Sequence, residues 1–242
     1  MAKTTDSPKP SVALSKKANL AKFALWIVGD TPLITHAWSE KARREMLAKQ
    51  VKAVQVAKSA RDPAEDFQNS LYELESGVYG FPAMAFKSAI TSGAHKDKGI
   101  TKTAVQGALW IDAEMVRTRP ALAGAICDMP LLRIWSGAPE MREDMVRVGQ
   151  GLQKKSSLAY RAQFTTWAIH LTGRVNLDLV PSETLVFLIN EGGFSAGVGE
   201  WRNEKKGMFG AFHCADAAET KAWESFAAGK GKLPRISFKE AA

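Results

Sequence analysis

Twice the sequence runs from a strand-like stretch through a proline into a helix-like stretch and then into glycine. Nothing else in the chain constrains its fold as much. The first passage is VYGFPAMAFKSAITSG (78–93); the second is TTWAIHLTGRVNLDLVPSETLVFLINEGG (165–193). Alternating apolar residues mark the strands. Proline in a helix's first turn wastes no hydrogen bond, since those N–H groups have no partner within the helix. Glycine ends a helix by turning left-handed, so Gly93 and the pair Gly192 and Gly193 read as stops. Ala83, Ala85, Ser88 and Ala89 give the first helix a small-residue face that can pack closely. Repeated strand–helix–strand units with glycine-marked turns predict an α+β fold. An antiparallel sheet covered by helices, on the ferredoxin-like plan, is the expected architecture.

The remaining elements fit around these two units. LAKFALWIV (20–28) suits a buried strand, GDTP (29–32) a turn, and Ser39 the cap of a basic helix over 39–60. SLYEL (70–74), ALWIDAEM (108–115) and LLRIW (131–135) read as strands, whereas SGAPEMRED and GQGLQKKSS read as loops. GMFGAFHCA gives a last strand and AETKAWESFA (218–227) a short helix. Residues 1–19, rich in Pro, Ser, Lys and Thr, read as a flexible basic tail. Residues 20–242 read as one domain with an insertion or subdomain at about 112–165.

The chain has 242 residues and a net charge of +8, which favours anionic partners, nucleic acid first. No apolar run approaches the roughly 20 residues of a membrane helix. The N-terminal MAKTTDSPKPSVALSKKANLAK lacks a signal-peptide pattern, so a cytoplasmic protein is expected. Cys127 and Cys214 read as reduced thiols, and His213 beside Cys214 lacks a second pair at zinc spacing. No metal or cofactor is expected. Neither G-x-S-x-G, H-E-x-x-H nor a Walker loop is present.

Four groups of residues could carry function. GVGEWRNEKKGMFGAF (197–212) is either a glycine-relieved hairpin or a phosphate-contacting loop. In the second case Gly197 and Gly199 present backbone N–H groups and Arg202, Lys205 and Lys206 neutralise charge. Trp201 or Phe209 then stacks on a base. Lys41, Arg43 and Arg44 form a basic helix face, with Lys87 on a second helix. Arg147, Lys154, Lys155, Tyr160 and Arg161 combine charge with an aromatic, as single-strand binders do. His36 is the one weak catalytic candidate: metal-independent RNA cleavage needs its imidazole beside an acid or a lysine. Asp128, Glu140, Glu143 and Asp144 read as loop acids capping helices.

VYGFPAMAFKSAI, and WAIHLTGRV with PSETLVFLINEGGFSAGVGEWRNEKKGMFGAF, resemble the RAMP superfamily of CRISPR proteins. In that family a backbone subunit polymerises along guide RNA. TPLITHAWSEKARREMLAKQ and GVGEWRNEKKGMFGAF resemble a widespread group of uncharacterised bacteriophage and prophage proteins. These resemblances imply a non-catalytic single-stranded nucleic-acid-binding protein of phage origin. It would form a homo-oligomer along the strand in the bacterial host cytoplasm, without a membrane. Two other readings stand beside this one. One is an RNA-processing endonuclease using His36; the other is a phage protein that binds or inhibits a host nucleic-acid complex.

Overall fold

β1 (Leu20–Gly29) changes character along its length: its first half alternates exposed and half-buried residues, and its last four are all buried. The cause is a helical layer on each face of the sheet there. Ile27 faces a core of Phe86, Ile90, Trp167, Leu188 and Phe212, while Trp26 and Val28 meet Ala168 and Trp223 on the opposite side. The computed structural model describes residues 18–38, 40–51, 62–94, 99–118, 122–149 and 155–235.

After β1 come β2 (Leu33–Thr35), α1 (Glu40–Gln50), α2 (Pro63–Asn69), β3 (Tyr72–Glu75), β4 (Val78–Pro82) and α3 (Ala83–Gly93). Then follow α4 (Lys102–Ala108), β5 (Leu109–Ile111), β6 (Glu114–Arg117), β7 (Asp128–Ser136), β8 (Glu140–Val148) and β9 (Lys155–Phe164). The chain continues through β10 (Trp167–Asn176), α5 (Ser182–Ser195), β11 (Phe212–Cys214) and α6 (Ala217–Ala227). The class is α+β, as expected. The main sheet has the order β11-β1-β10-β7-β4-β3, with β5 beside β10 and β6 beside β7. Every pairing in it is antiparallel. Two crossings skip a strand: α5 links β10 to β11 around β1, and α3 lies on the path from β1 to β7 around β10.

The small-residue face of α3 packs against α5. A Cβ on Gly93 would stand 2.8 Å from the Leu188 carbonyl oxygen, and one on Gly192 would overlap the Ala89 carbonyl. Gly192 and Gly193 therefore do not stop the helix as the sequence suggested. They let α5 lie against α3 and against Phe212 of β11, and the helix runs on to Ser195. The left-handed residue that ends it is Gly197, with φ +68° and its N–H on the Gly192 carbonyl at 3.0 Å.

β8 and β9 form a long hairpin that β2 joins, giving a separate sheet of order β2-β9-β8. Here the loop expectation is corrected, because Glu140–Asp144 and the serines after Lys155 are paired strand residues. β8 carries charges on both faces, so it shows no apolar alternation. Within the stretch 112–165, β7 is a strand of the main sheet, whereas β8 and β9 are not. Ser39, residues 52–60 of the expected first helix and the tail up to residue 17 lie outside the described residues. No described helix is long and apolar enough to cross a membrane.

Candidate functional site

The glycine-rich stretch is a closed loop, not a hairpin of paired strands. It contains one 3-10 turn at Asn203–Lys205 and a single parallel bridge between Arg202 and Phe209. Its ends meet where the Val198 N–H donates to the Gly210 carbonyl at 2.9 Å. It then lies on the main chain around β2: the Glu200 N–H reaches Ile34 O at 3.0 Å and the Gly210 N–H reaches Pro32 O at 2.9 Å. One of its glycines is explained by that contact and another by the loop folding on itself. Gly199 has φ +83° and would place a Cβ 2.6 Å from Ile34 O, and a Cβ on Gly207 would overlap the Trp201 carbonyl. The close approach that the glycines permit is thus to protein backbone. Gly197 also departs from the phosphate-contact expectation, since its N–H already serves as the α5 cap.

Where the loop crosses β2 it builds a polar cluster. His36, just after β2, holds Nδ1 3.1 Å from Glu200 Oε1, and the Tyr72 hydroxyl donates to the His36 carbonyl at 3.2 Å. Arg202 donates to Glu204 through Nε and Nη2 at 3.0 and 2.7 Å, and through Nη1 to the Gly199 carbonyl at 3.2 Å. The hydrogen bond from His36 holds the Glu200 carboxyl below its usual range. Burial opposes that effect, and the charges of Arg161, His36 and Arg202 reinforce it. Burial, and then the Glu200 charge, push the Tyr72 phenol up. A cavity of about 240 Å³ opens between this cluster and α3, lined by His36, Tyr72, Ser88, Gly197, Glu200 and Arg202. If Nδ1–H donates to Glu200, the ring is oriented and Nε2 is left as an acceptor, the arrangement a general base needs.

The other expected residues divide between committed and exposed groups. Arg43 donates to Thr118 Oγ1 at 3.0 Å and to Cys127 Sγ at 3.4 Å, tying α1 to the segment after β6. Arg44 pairs with Glu40 one turn away. Lys87 lines a different, apolar cavity with Trp110 and Met115. Arg147 and Lys155 are exposed on the β8–β9 hairpin, and Lys205 and Lys206 are exposed on the glycine loop. The Tyr160 hydroxyl bonds to Glu143, which raises its pKa. Arg161 is buried, with Nη1 3.8 Å from Asp144. Trp201 is exposed at φ +54°. Phe209 lies under the Arg142 guanidinium, 4.5 Å from its ring centre, and this contact joins the hairpin to the loop. The Lys41 side chain and Lys154 lie outside the described residues.

The acids read as helix caps are strand residues instead. Asp128 pairs with Arg117, Glu140 accepts from Thr165, and Asp144 accepts from Arg142. Sequence reasoning missed Tyr72, and it did not single out Glu200, the partner of His36. No local signal could have found that pair, because 164 positions separate its members. Among the described residues no three of His, Cys, Asp or Glu converge as metal ligands would. No protein-family model and no curated protein matches the chain, so its own geometry is what bears on function.

Proposed function

We propose that this protein is a non-catalytic binder of single-stranded nucleic acid, of phage or prophage origin, that assembles as a homo-oligomer along the strand. The observation that carries the reading is the Arg142–Phe209 contact. It joins the loop that bears Lys205, Lys206 and Trp201 to the hairpin whose far end carries Arg147 and Lys155. Exposed cations and an exposed tryptophan on linked elements suit backbone neutralisation with base stacking. The ferredoxin-like, RAMP-like core is supported by the order β11-β1-β10-β7 with α3 and α5 crossing over skipped strands. The test is fluorescence anisotropy with single-stranded DNA, single-stranded RNA and duplex DNA over a salt series. Single-strand binding should fall steeply with salt, each neutralised phosphate adding about 0.7 to the log–log slope. Salt-insensitive binding, or none, overturns the proposal.

A second reading has one observation in its favour: His36 does have the acidic partner that cleavage requires, Glu200 at 3.1 Å. Labelled RNA incubated with the protein in EDTA separates the two readings. Cleavage that disappears in His36→Ala establishes the nuclease, and intact RNA removes it.

A further inference from the structure

We propose that a second cavity beside His36 reads one unstacked guanine of the bound strand; this rests on the strand-binding reading above. The cavity has a volume of about 310 Å³ and lies between the segment after β2, the end of α2 and the β8–β9 hairpin. Trp38, Asp66, Asn69, Tyr160 and Arg161 line it together with His36.

Arg161 is the first ground. It is 9% exposed, and its Nε and Nη1 have no hydrogen-bond partner among the described residues. Its counter-charge, Asp144, already accepts from Arg142 Nε at 2.9 and 3.1 Å. Arg142 and Arg161 stand directly opposite each other across the hairpin, so two like charges share one carboxylate. A buried guanidinium whose Nε and Nη1 make no hydrogen bond, with its nearest carboxylate 3.8 Å away, calls for an explanation, and a ligand that supplies acceptors is one.

The other walls say which ligand. Trp38 is 59% exposed at the cavity, an aromatic face open for stacking. Ser70 is already committed: its hydroxyl donates to Phe67 O and accepts from the Ala162 N–H. The Tyr160 hydroxyl is committed to Glu143. His36 is held through Nδ1 by Glu200, and beside it stand Asp66 and Asn69, a carboxylate that can only accept and an amide that does both. The carboxylate disfavours a phosphate but suits a base edge carrying N–H donors. Guanine presents such donors on its Watson–Crick edge. Its N7 and O6 acceptors suit a guanidinium. Adenine and cytosine each present a single exocyclic amino donor, not a paired N–H edge together with a separate acceptor pair.

The test compares short oligothymidines carrying one central guanosine, adenosine or cytidine, in deoxy and ribo form, by anisotropy at fixed salt. The guanosine strand should bind about tenfold tighter, the lower end of one bidentate base contact. Asp66→Asn should abolish that preference while plain oligothymidine binds as before. Trp38→Ala should weaken all strands alike. Equal binding of the three strands, or a preference that survives Asp66→Asn, overturns this pocket and leaves the strand-binding function standing. Failure to bind any strand overturns both.

Discussion

His213 stands between two carboxylates, with Nδ1 2.7 Å from Asp30 and Nε2 3.0 Å from Glu219. The hydrogen bond to Asp30 raises its pKa most. Burial works against this, Glu219 adds to it, and the result is a value of about 9. The Glu219 oxygen also accepts the Asp216 N–H at 2.9 Å, while Asp216 caps α6 in return. One carboxylate therefore closes a helix start and ties it to β11. A raised pKa means that the folded state holds the proton more tightly than the unfolded chain does. The resulting stabilisation is complete below about pH 6.5, the unfolded value, and is lost as pH rises through about 9. With the ring 34% exposed, solvent screening leaves a contribution on the order of 1 kcal/mol. His213→Gln should lower the melting temperature at about pH 6 and scarcely change it at about pH 10. Melting curves across that range check it, and a pH-independent difference would show that the ring acts by packing alone.

At the scale of elements, glycine placement separates packing from helix propensity. Ala is favoured over Gly within a helix by about 1 kcal/mol. Gly107 of α4 has open space around its missing Cβ, so Gly107→Ala should stabilise the protein by about 0.5–1 kcal/mol. Gly192→Ala should do the opposite, because its Cβ would overlap the Ala89 carbonyl of α3. Backbone must shift there, at a cost of about 3 kcal/mol that outweighs the propensity gain. Urea unfolding of the two variants should give midpoints on either side of the wild type. This pair also shows what the sequence could reveal. Proline-opened helices and alternating strands were legible because proline geometry and period-two burial are local. The end of α5 was not, because Gly192 and Gly193 answer to neighbouring elements. β8 was illegible for another reason: a hairpin strand with charges on both faces has no apolar rhythm.

Seen as a whole, the sheet is covered on both faces where β1 ends, and the fully buried residue that α6 brings to the second face is Trp223. Trp223 is 1% exposed and stacks on Trp26, with centroids 6.4 Å apart. Trp223→Ala should cost about 3–5 kcal/mol, read as a lower urea midpoint. An effect under about 1 kcal/mol would mean that the helix docks by other contacts. The net charge of +8 is also unevenly committed. Arg44, Arg117, Arg142 and Arg202 each have a carboxylate partner, whereas Arg147, Lys155, Lys205 and Lys206 are exposed. Replacing Lys205 and Lys206 should reduce the salt slope of strand binding by about 1.4, two phosphates' worth, while Arg44→Ala should leave it unchanged. Lys206 has φ +64°, so glycine is the substitution there that removes charge without backbone strain. The basic residues were legible in sequence, but their pairing was not. Opposite charges such as Arg161 and Asp144 meet only through the β8–β9 register.

β1 pairs on one side with β10, from Leu20 against Asn176 onward, and on the other with β11, Val28 against His213. Both neighbours belong to the C-terminal part of the chain. A ribosome releasing the protein from its N-terminus delivers β1 with both edges open and Trp26 and Ile27 uncovered. It stays that way until β10 and β11 have been made. An open apolar strand on a nascent chain is a site for mispairing and for chaperone capture. The His36–Glu200 pair is equally late, since 164 positions separate its members. Whatever the protein holds at that place, it acquires the ability only once the loop bearing Glu200 has been made.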